Sequence, residues 1–227
     1  MKIVELEETD STNEYIKRGN FCEDTAVFAA RQTSGRGTKG RSFISDEGGL
    51  YVSVLRIYRD FDFSSAFGIM VNACVAVCRT LESFGLHPVI KWANDVLVGG
   101  RKICGTLIEN TFCSDNVCRS VVGIGLNVNN ALAGLANIAT SMSEQAGRKF
   151  CLADVKSTLL EMLGGGYSVA GYKRYIDWFG RKITLVREGE RQFVTALDVD
   201  AGGRLVVRTD DGRVAAVSSG EMSLILK

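Results

Sequence analysis

The chain of 227 residues has little histidine, almost no net charge and no long apolar run. His87 is the single histidine, and the pairs Cys74/Cys78 and Cys113/Cys118 lack the spacing of a zinc knuckle, so a zinc site is disfavoured. The net charge of +1 gives no general attraction to nucleic acid or to an anionic membrane, so any anion site must be local. The absence of an 18-residue apolar run argues against a transmembrane helix.

Disulfides are also not expected. The seven cysteines are an odd number, and most lie in apolar stretches, as Cys74, Cys78, Cys104 and Cys151 do. This usage predicts buried, reduced thiols. The N-terminus becomes acidic at Glu5, so we expect neither a signal peptide nor a membrane anchor, and we predict a cytoplasmic protein.

The hydrophobic pattern of residues 1–180 predicts an α+β fold. A capping box from Ser11 to Glu14 is expected to open the first helix. The longest helix is predicted over 65–84, and two more over 151–163 and 167–179, with a bend at 164–166 between them. Strands are predicted over 1–7, 25–32, 50–57, 88–92, 96–98, 103–109 and 117–128, with turns at 99–100 and 114–116.

After Gly180 the pattern changes to short strands separated by glycine-rich turns. These strands are predicted over 183–187, 192–198, 205–208, 214–217 and 222–226. Such spacing is typical of a small all-β barrel. The sequence therefore predicts an α+β domain over 1–180 and a small β domain over 181–227.

A loop from Gly35 to Arg41 concentrates three glycines and three cations without an acid. Glycines let the backbone approach a ligand closely, and the local positive charge favours phosphate or adenylate over the alternative of a solvated turn. The loop contains G-x-G-x-x-G, with Asp60 about twenty residues further on, but that dinucleotide motif must open a helix, whereas 42–49 leads to a strand. A Walker A loop is absent.

Two further segments carry candidate binding groups. Asn94 and Asp95 offer an amide and a carboxylate, which suit Mg²⁺ or ribose. Lys102 follows a hairpin turn and could stabilise charge on a carboxylate or α-phosphate oxygen. Glycines 123 and 125 interrupt a strand before Asn127, which indicates either a ligand packed on the backbone or a bulged core strand.

Taken in order, these segments resemble biotin–protein ligase, also called biotin–[acetyl-CoA-carboxylase] ligase. The matching motifs are D-S-T-N at 10–13, Q-T-S-G-R-G-T-K-G-R at 32–41, K-W-A-N-D at 91–95, G-R-K-I-C-G at 100–105, G-I-G-L-N-V at 123–128 and S-G-E-M-S-L at 219–224. The resemblance implies a class II synthetase-like catalytic domain, with a mixed sheet and packed helices, followed by an SH3-like barrel. It also implies that biotin and Mg·ATP give biotinoyl-5′-AMP, whose biotin passes to a lysine of a biotin carboxyl carrier protein.

The resemblance assigns a role to individual residues. Catalysis falls to Lys102, Arg36 and Arg41. The residues implied to hold biotin are Ser11, Thr12, Asn13, Gln32, Gly35, Arg36, Gly37, Thr38, Lys102 and Gly105. The residues implied to hold the nucleotide are Arg36, Arg41, Trp92, Asn94, Asp95, Lys102 and Asn127. Asp95 is the implied Mg²⁺ ligand, and no tightly bound metal is implied.

Three positions depart from the family pattern: Ala93 replaces proline, Phe43 replaces tryptophan, and Thr38 replaces an arginine, which suggests faster leakage of the adenylate. A lipoate–protein ligase or octanoyltransferase, with Cys104 as an acyl carrier, is the enzymatic alternative. A biotin-sensing module without turnover is the non-enzymatic one. Some relatives carry an N-terminal helix-turn-helix domain. Met1 stands about nine residues before the D-S-T-N motif, so we expect neither that domain nor operator binding. A homodimer is left open.

Overall fold

The computed structural model describes residues 1–62, 66–113, 116–132, 134–187, 189–219 and 223–225. The first sheet contains β1 (Lys2–Thr9), β2 (Thr25–Gln32), β3 (Leu50–Asp62), β4 (Pro88–Lys91), β5 (Asp95–Val98), β6 (Arg101–Cys113) and β7 (Asn116–Leu126). The helices are α1 (Thr12–Arg18), α2 (Phe67–Ser83), α3 (Met142–Ala146), α4 (Leu152–Leu163) and α5 (Val169–Lys173). The second sheet contains β8 (Lys182–Arg187), β9 (Glu190–Val199), β10 (Leu205–Thr209), β11 (Val214–Val217) and β12 (Ser223–Ile225).

The seven-stranded sheet is mixed, as predicted. Its order is β1-β2-β3-β7-β6-β5-β4, in which β1 and β2 are parallel and every other neighbouring pair is antiparallel. Because side chains alternate between the faces of a strand, each strand contributes to two different environments. The two faces are covered very differently.

Helix α2 covers one face of this sheet. Its buried residues join those of the central strands in the main apolar core, which includes Val52, Val54, Val122, Ile124, Cys74 and Val77. Helix α1 covers only part of the opposite face, where Ile16 packs with Val27, Leu55 and Val121. The remainder of that face has small residues along neighbouring strands and forms the floor of a cavity.

The second sheet is antiparallel throughout, in the order β11-β10-β9-β8-β12. Its buried residues, among them Leu185 and Val194, belong to the same apolar core as α2. The Trp92 indole Nε1 donates to the Gly203 carbonyl at 2.9 Å and links the two sheets. The predicted small β unit is confirmed. Within the described residues, no helix has both the length and the apolarity that crossing a membrane requires.

The predicted helix over 167–179 is largely wrong. Only Val169–Lys173 is helical. Beyond α5, the Tyr175 carbonyl accepts from the Ile90 N–H at 2.7 Å, and the Trp178 indole donates to the Ile90 carbonyl at 2.8 Å. These bonds to the edge strand β4 replace those of a continuing helix. Helix α3 was not predicted because it has only five residues.

The predicted capping box is also wrong. The Ser11 side chain makes no cap hydrogen bond, and its backbone N–H donates to Asp10 instead. The Thr12 N–H at the start of α1 donates to Gln32 Oε1 at 2.8 Å. A distant side chain therefore satisfies the helix end, a contact that local sequence spacing does not reveal.

The cysteines follow the prediction only in part. Cys74, Cys78 and Cys104 are buried thiols, and burial raises the pKa of all three, that of Cys74 to about 12. Cys113 and Cys118, however, form a disulfide between β6 and β7, with Cα atoms 5.7 Å apart. A register shift after Thr111 leaves Cys118 as an extra residue of β7 near Cys113. Contrary to prediction, Cys151 is exposed. Residues 114–115 of the predicted turn lie outside the described residues.

Candidate active site

A cavity of about 440 Å³ lies on the sheet face opposite α2. Gly105, Gly125 and Tyr51 share one row of the sheet, and Leu107, Gly123 and Ser53 share the next. Most of the predicted site residues line this cavity. They are Ser11, Thr12, Asn13, Gln32, Arg36, Gly37, Thr38, Arg41, Asn94, Asp95, Lys102 and Gly105. The fold thus brings together residues 11–13, 32–41 and 94–105, which are far apart in the sequence.

Three predicted site residues do not line the cavity. The Gly35 carbonyl accepts from the Phe43 N–H at 2.8 Å and so belongs to the frame of the loop. Trp92 lines a smaller neighbouring cavity of about 110 Å³, together with Arg41 and Asn94. Asn127 is buried, and its amide bonds to the Thr140 carbonyl and to Asn130. Its nucleotide role stays a prediction that this placement does not support.

Thr12, Asn13 and Gln32 form one side of the cavity, and together with the buried Ser53 that bonds to them they make up what we call the amide end. Ser53 Oγ donates to Asn13 Oδ1 and lies 2.6 Å from Thr12 Oγ1. Gln32 Oε1 accepts from the Thr12 N–H, and Gln32 Nε2 donates to Ser45 Oγ, each at 2.8 Å. Thr12, Asn13 and Ser53 are buried. The amide end is therefore built before any ligand arrives.

The floor of the cavity contains Gly123 and Gly125 because two side chains approach the backbone there. A Cβ on Gly123 would lie 2.4 Å from Asn13 Oδ1, and one on Gly125 would lie 2.6 Å from the Phe43 ring. Both glycines pair in register with β3 and β6, so the bulged-strand interpretation is wrong at these positions. The glycines instead let Asn13 and Phe43 rest on the floor of the cavity.

The glycine- and arginine-rich loop is a hydrogen-bonded hairpin with Arg36, Gly37, Thr38 and Arg41 on the cavity, and anion binding by this loop stays a prediction. Gly37 N–H donates to the Arg41 carbonyl at 2.7 Å, and one turn of 3₁₀ helix covers Thr38–Gly40. Arg41 Nη2 donates to Thr38 Oγ1 at 3.1 Å. Thr38 thus contributes to the loop by orienting Arg41.

Arg36, Arg41, Lys91 and Lys102 also line the cavity, and we call this set of cations the cation end. Arg36 pairs with Glu14 at 2.9 Å, and Lys102 pairs with Asp95 at 2.7 Å. Burial lowers the pKa of Lys91, and the nearby Lys102 and Arg41 lower it further, whereas Asp95 acts in the opposite direction.

These four cations face two carboxylates, so the cation end carries excess positive charge. A site of this kind favours an anionic ligand.

The described residues contain no cluster of three or more His, Cys, Asp or Glu side chains that could hold a metal. Asn94 Nδ2 donates to the Thr106 carbonyl at 2.8 Å, which leaves Asp95 as the predicted carboxylate ligand. Mg²⁺ usually keeps several waters and binds one or two carboxylates together with substrate phosphates. Asp95 therefore fits a magnesium ion that arrives with a nucleotide.

Residues 5–127 match the biotin/lipoate A/B protein ligase family. The chain belongs to this family. Residues 179–225 also match the biotin protein ligase C-terminal domain, in agreement with the predicted SH3-like unit.

A bifunctional ligase/repressor BirA of Bacillus subtilis is 29% identical over 226 residues, which cover 97% of this chain and 67% of that protein. A biotin protein ligase from Aquifex aeolicus, solved with biotin and ATP, has a TM-score of 0.82 and 28% identity. The match covers 100% of this chain and 99% of the solved chain. The enzyme from Leishmania major, solved with biotinyl-5-AMP, has a TM-score of 0.66 and 25% identity, with 96% and 99% covered.

Several residues that line or support this cavity were not predicted from the sequence. Ser53 could have been found, because a hydroxyl stands between the apolar residues of a buried strand. Asn137 and Ile138 line the cavity from a loop that carries no local signal. The Lys102 N–H donates to the Ile138 carbonyl at 3.0 Å, and the Thr140 N–H donates to the Lys102 carbonyl at 2.9 Å. This loop fixes the backbone of Lys102 on both sides.

Proposed function

We propose that the chain uses ATP to activate biotin as biotinoyl-5′-AMP and then transfers the biotin to a lysine of a biotin carboxyl carrier protein. The observation that carries the proposal is one cavity with two chemically different ends. The buried amide end suits the uncharged ureido group of biotin, whose donors and acceptors need partners when they leave water. The cation end suits its carboxylate and the phosphates of ATP.

In the first half-reaction, a carboxylate oxygen of biotin attacks the α-phosphorus and pyrophosphate leaves. Lys102 and Arg36 stabilise the negative charge that develops around the acyl phosphate. Arg41 and Lys91 contact the nucleotide phosphates, and Thr38 orients Arg41. Mg²⁺ bound at Asp95 would neutralise phosphate charge.

The two ion pairs at the cation end are suited to exchange their partners. The side chains of Arg36 and Lys102 are 58% and 33% exposed, and partly solvated ion pairs contribute little stability. The carboxylates of Glu14 and Asp95 are each only 16% exposed, but Glu14 keeps Lys17 as a partner when a ligand carboxylate or phosphate takes its place beside Arg36. A Mg²⁺ ion would serve Asp95 in the same way when a phosphate binds Lys102.

In the second half-reaction, the amine of the acceptor lysine attacks the acyl carbon and AMP leaves.

We also propose that residues 1–180 form the catalytic unit and residues 181–227 the SH3-like unit. The proposed location is cytoplasmic, and the proposed partners include neither DNA nor a membrane. Both a monomer and a homodimer are compatible with this proposal. The buried thiols of the core are compatible with a reducing compartment, whereas the Cys113–Cys118 disulfide is not typical of one.

The test is ATP–pyrophosphate exchange with biotin, lipoate and octanoate, followed by mass spectrometry of a carrier domain incubated with the chain, ATP and biotin. We expect exchange with biotin and one added biotinoyl group on the carrier. Exchange with lipoate but not with biotin would favour the lipoate–protein ligase alternative. Binding of biotin without any exchange would favour the sensing module.

The acyl-cysteine form of the lipoate alternative receives no support from Cys104. This thiol is fully buried on the α2 face of β6, whereas the neighbouring Gly105 faces the cavity. Burial also raises the pKa of Cys104 well above its usual value, so the thiolate required for attack is suppressed.

A further inference from the structure

Three charged side chains lie behind the amide end and do not line the cavity: Glu14, Lys17 and Glu109. Lys17 Nζ lies 2.8 Å from Glu109 Oε1 and 2.6 Å from Glu14 Oε1. Glu109 Oε2 accepts from Asn13 Nδ2 at 2.8 Å. Glu109 therefore joins a surface ion pair to a buried side chain of the amide end.

The contact with Glu109 determines how the Asn13 amide is oriented. An ionised carboxylate only accepts hydrogen bonds, so the NH₂ group of Asn13 must face Glu109. The amide oxygen then faces Ser53 Oγ, which donates to it above Gly123. Rotating the amide by half a turn would bring its oxygen against the carboxylate and break both bonds.

Glu109 is suited to this task because it stays ionised. Burial by itself raises the pKa of Glu109, but the hydrogen bonds from Lys17 and Asn13 outweigh it, and the net pKa is lowered. The same contact raises the pKa of Lys17, to which Glu14 also contributes. The pair thus holds complementary charges near neutral pH.

We propose that Glu109 is a positioning residue, held by Lys17, that fixes the hydrogen-bonding pattern Asn13 presents to the ureido group of biotin. A cyclic urea offers a carbonyl acceptor between two N–H donors. With its orientation fixed, Asn13 has one N–H and one oxygen lone pair left for that ligand. This inference rests on the proposed function.

The test compares Glu109→Ala with Glu109→Gln in the full-length chain, with biotin binding measured by calorimetry and the KM for ATP measured by pyrophosphate exchange. In Glu109→Ala the amide can rotate, so biotin affinity should fall about tenfold, the usual effect of losing a hydrogen bond to a charged group. The KM for ATP should stay within about twofold, because Glu109 bonds to Asn13 at the amide end and Arg36 keeps its own partner Glu14. Glutamine can accept from Asn13 through its amide oxygen, so Glu109→Gln should bind biotin within about threefold of the wild type.

Asp24→Ala is the matched control. Asp24 is another half-buried carboxylate in an ion pair, with Arg56 at 2.9 Å, but its second oxygen accepts from the Ile57 N–H and not from Asn13. Its loss should lower the melting temperature without changing biotin affinity. If Glu109→Ala does not fold, Lys17→Met provides the second variant, and its biotin affinity should fall about threefold because the carboxylate loses its main support.

The inference would be overturned if Glu109→Ala bound biotin as tightly as the wild type, and the proposed function would remain intact. The same holds for Lys17→Met if that variant is measured instead. An equal loss of affinity for biotin in Asp24→Ala, or an equal rise in the KM for ATP in Glu109→Ala, would also overturn it, because both indicate general loosening. A wild-type chain that binds no biotin would overturn the proposed function and this inference together.

Discussion

The two ends of the cavity are held together by different kinds of interaction. At the amide end, hydroxyl and amide groups of α1, β2 and β3 bond to one another, and Asn13 also bonds to Glu109. At the cation end, Arg36 and Lys102 are partly exposed and each bonds to a single carboxylate. The amide end is rigid and uncharged at its surface, whereas the cation end is charged and its ion pairs can exchange partners.

This difference suggests that the amide end recognises biotin and that the cation end promotes adenylate formation. A buried polar group that loses its partner costs free energy, so the hydrogen bonds of the amide end persist and its shape is set in advance. Partly exposed ion pairs contribute little, so the cations can leave their partners when an anion arrives. We therefore expect changes at the amide end to alter biotin affinity, and changes at the cation end to alter the rate of adenylate formation.

The largest effect is expected for Lys102→Met. Methionine keeps much of the side-chain volume but removes the charge that faces the developing acyl phosphate. Adenylate formation, measured by pyrophosphate exchange, should fall on the order of 10²-fold or more, a larger loss than that of biotin affinity measured by calorimetry. Lys182→Met is the control, because Lys182 also forms an ion pair, with Asp210, but does not line the cavity. An unchanged rate of adenylate formation in Lys102→Met would show that the cation end is not responsible for the chemical step.

A smaller effect is expected for Gly123→Ala at the amide end. The added methyl group would lie 2.4 Å from Asn13 Oδ1, so Asn13 must move away from Ser53 and Glu109. Biotin affinity should fall about tenfold, with the KM for ATP nearly unchanged. Gly68→Ala is the control, since a Cβ there meets no atom within 4 Å and alanine favours the α2 helix. Equal affinity in the two variants would contradict the close approach of Asn13.

The smallest effect is expected for Lys91→Met, measured as thermal stability against pH. Because the folded-state pKa of Lys91 is lowered, the unfolded chain binds the proton more tightly, and the charged lysine destabilises the fold below that folded pKa. The penalty disappears as pH rises towards the unfolded value of 10.5. The variant should therefore be more stable than the wild type at pH 7, by up to about 1 kcal/mol, with a gap that narrows at higher pH.

The same variant should raise the KM for ATP, because it removes a cation near the nucleotide phosphates. Lys149→Met is the control, since this lysine is exposed and does not line the cavity. A stability gap between wild type and Lys91→Met that widened with pH would show that burial is not the cause of the shift.

Most of the strands could be predicted from the sequence, because apolar alternation and glycine turns are local properties. The prediction failed where a distant partner decides local structure. The backbone after α5 bonds to β4 instead of continuing as a helix, and Gln32 replaces the expected cap at Ser11. Short helix α3 has too few residues to show a period.

The residues of the candidate site that lie in the sequence motifs could be predicted. The resemblance selected Asn13, Arg36 and Lys102, and all three line the cavity. It did not select Glu109, although the alternation from Gly105 through Leu107 places its side chain on the cavity face of β6. What the sequence could not supply is the packing of α1 on this face of the sheet, which brings Asn13 beside Glu109.

The turn that carries Asn94 and Asp95 is secured from behind by groups that touch no ligand. Trp92 donates its indole N–H to the Gly203 carbonyl of the second sheet, and the Tyr172 hydroxyl donates to the Ala93 carbonyl at 2.9 Å. All of these contacts are buried. The proposed nucleotide side of the cavity therefore depends on both sheets. A hybrid enzyme with a foreign second sheet would need a carbonyl at the position of Gly203 to hold the turn of Asn94 and Asp95 in place.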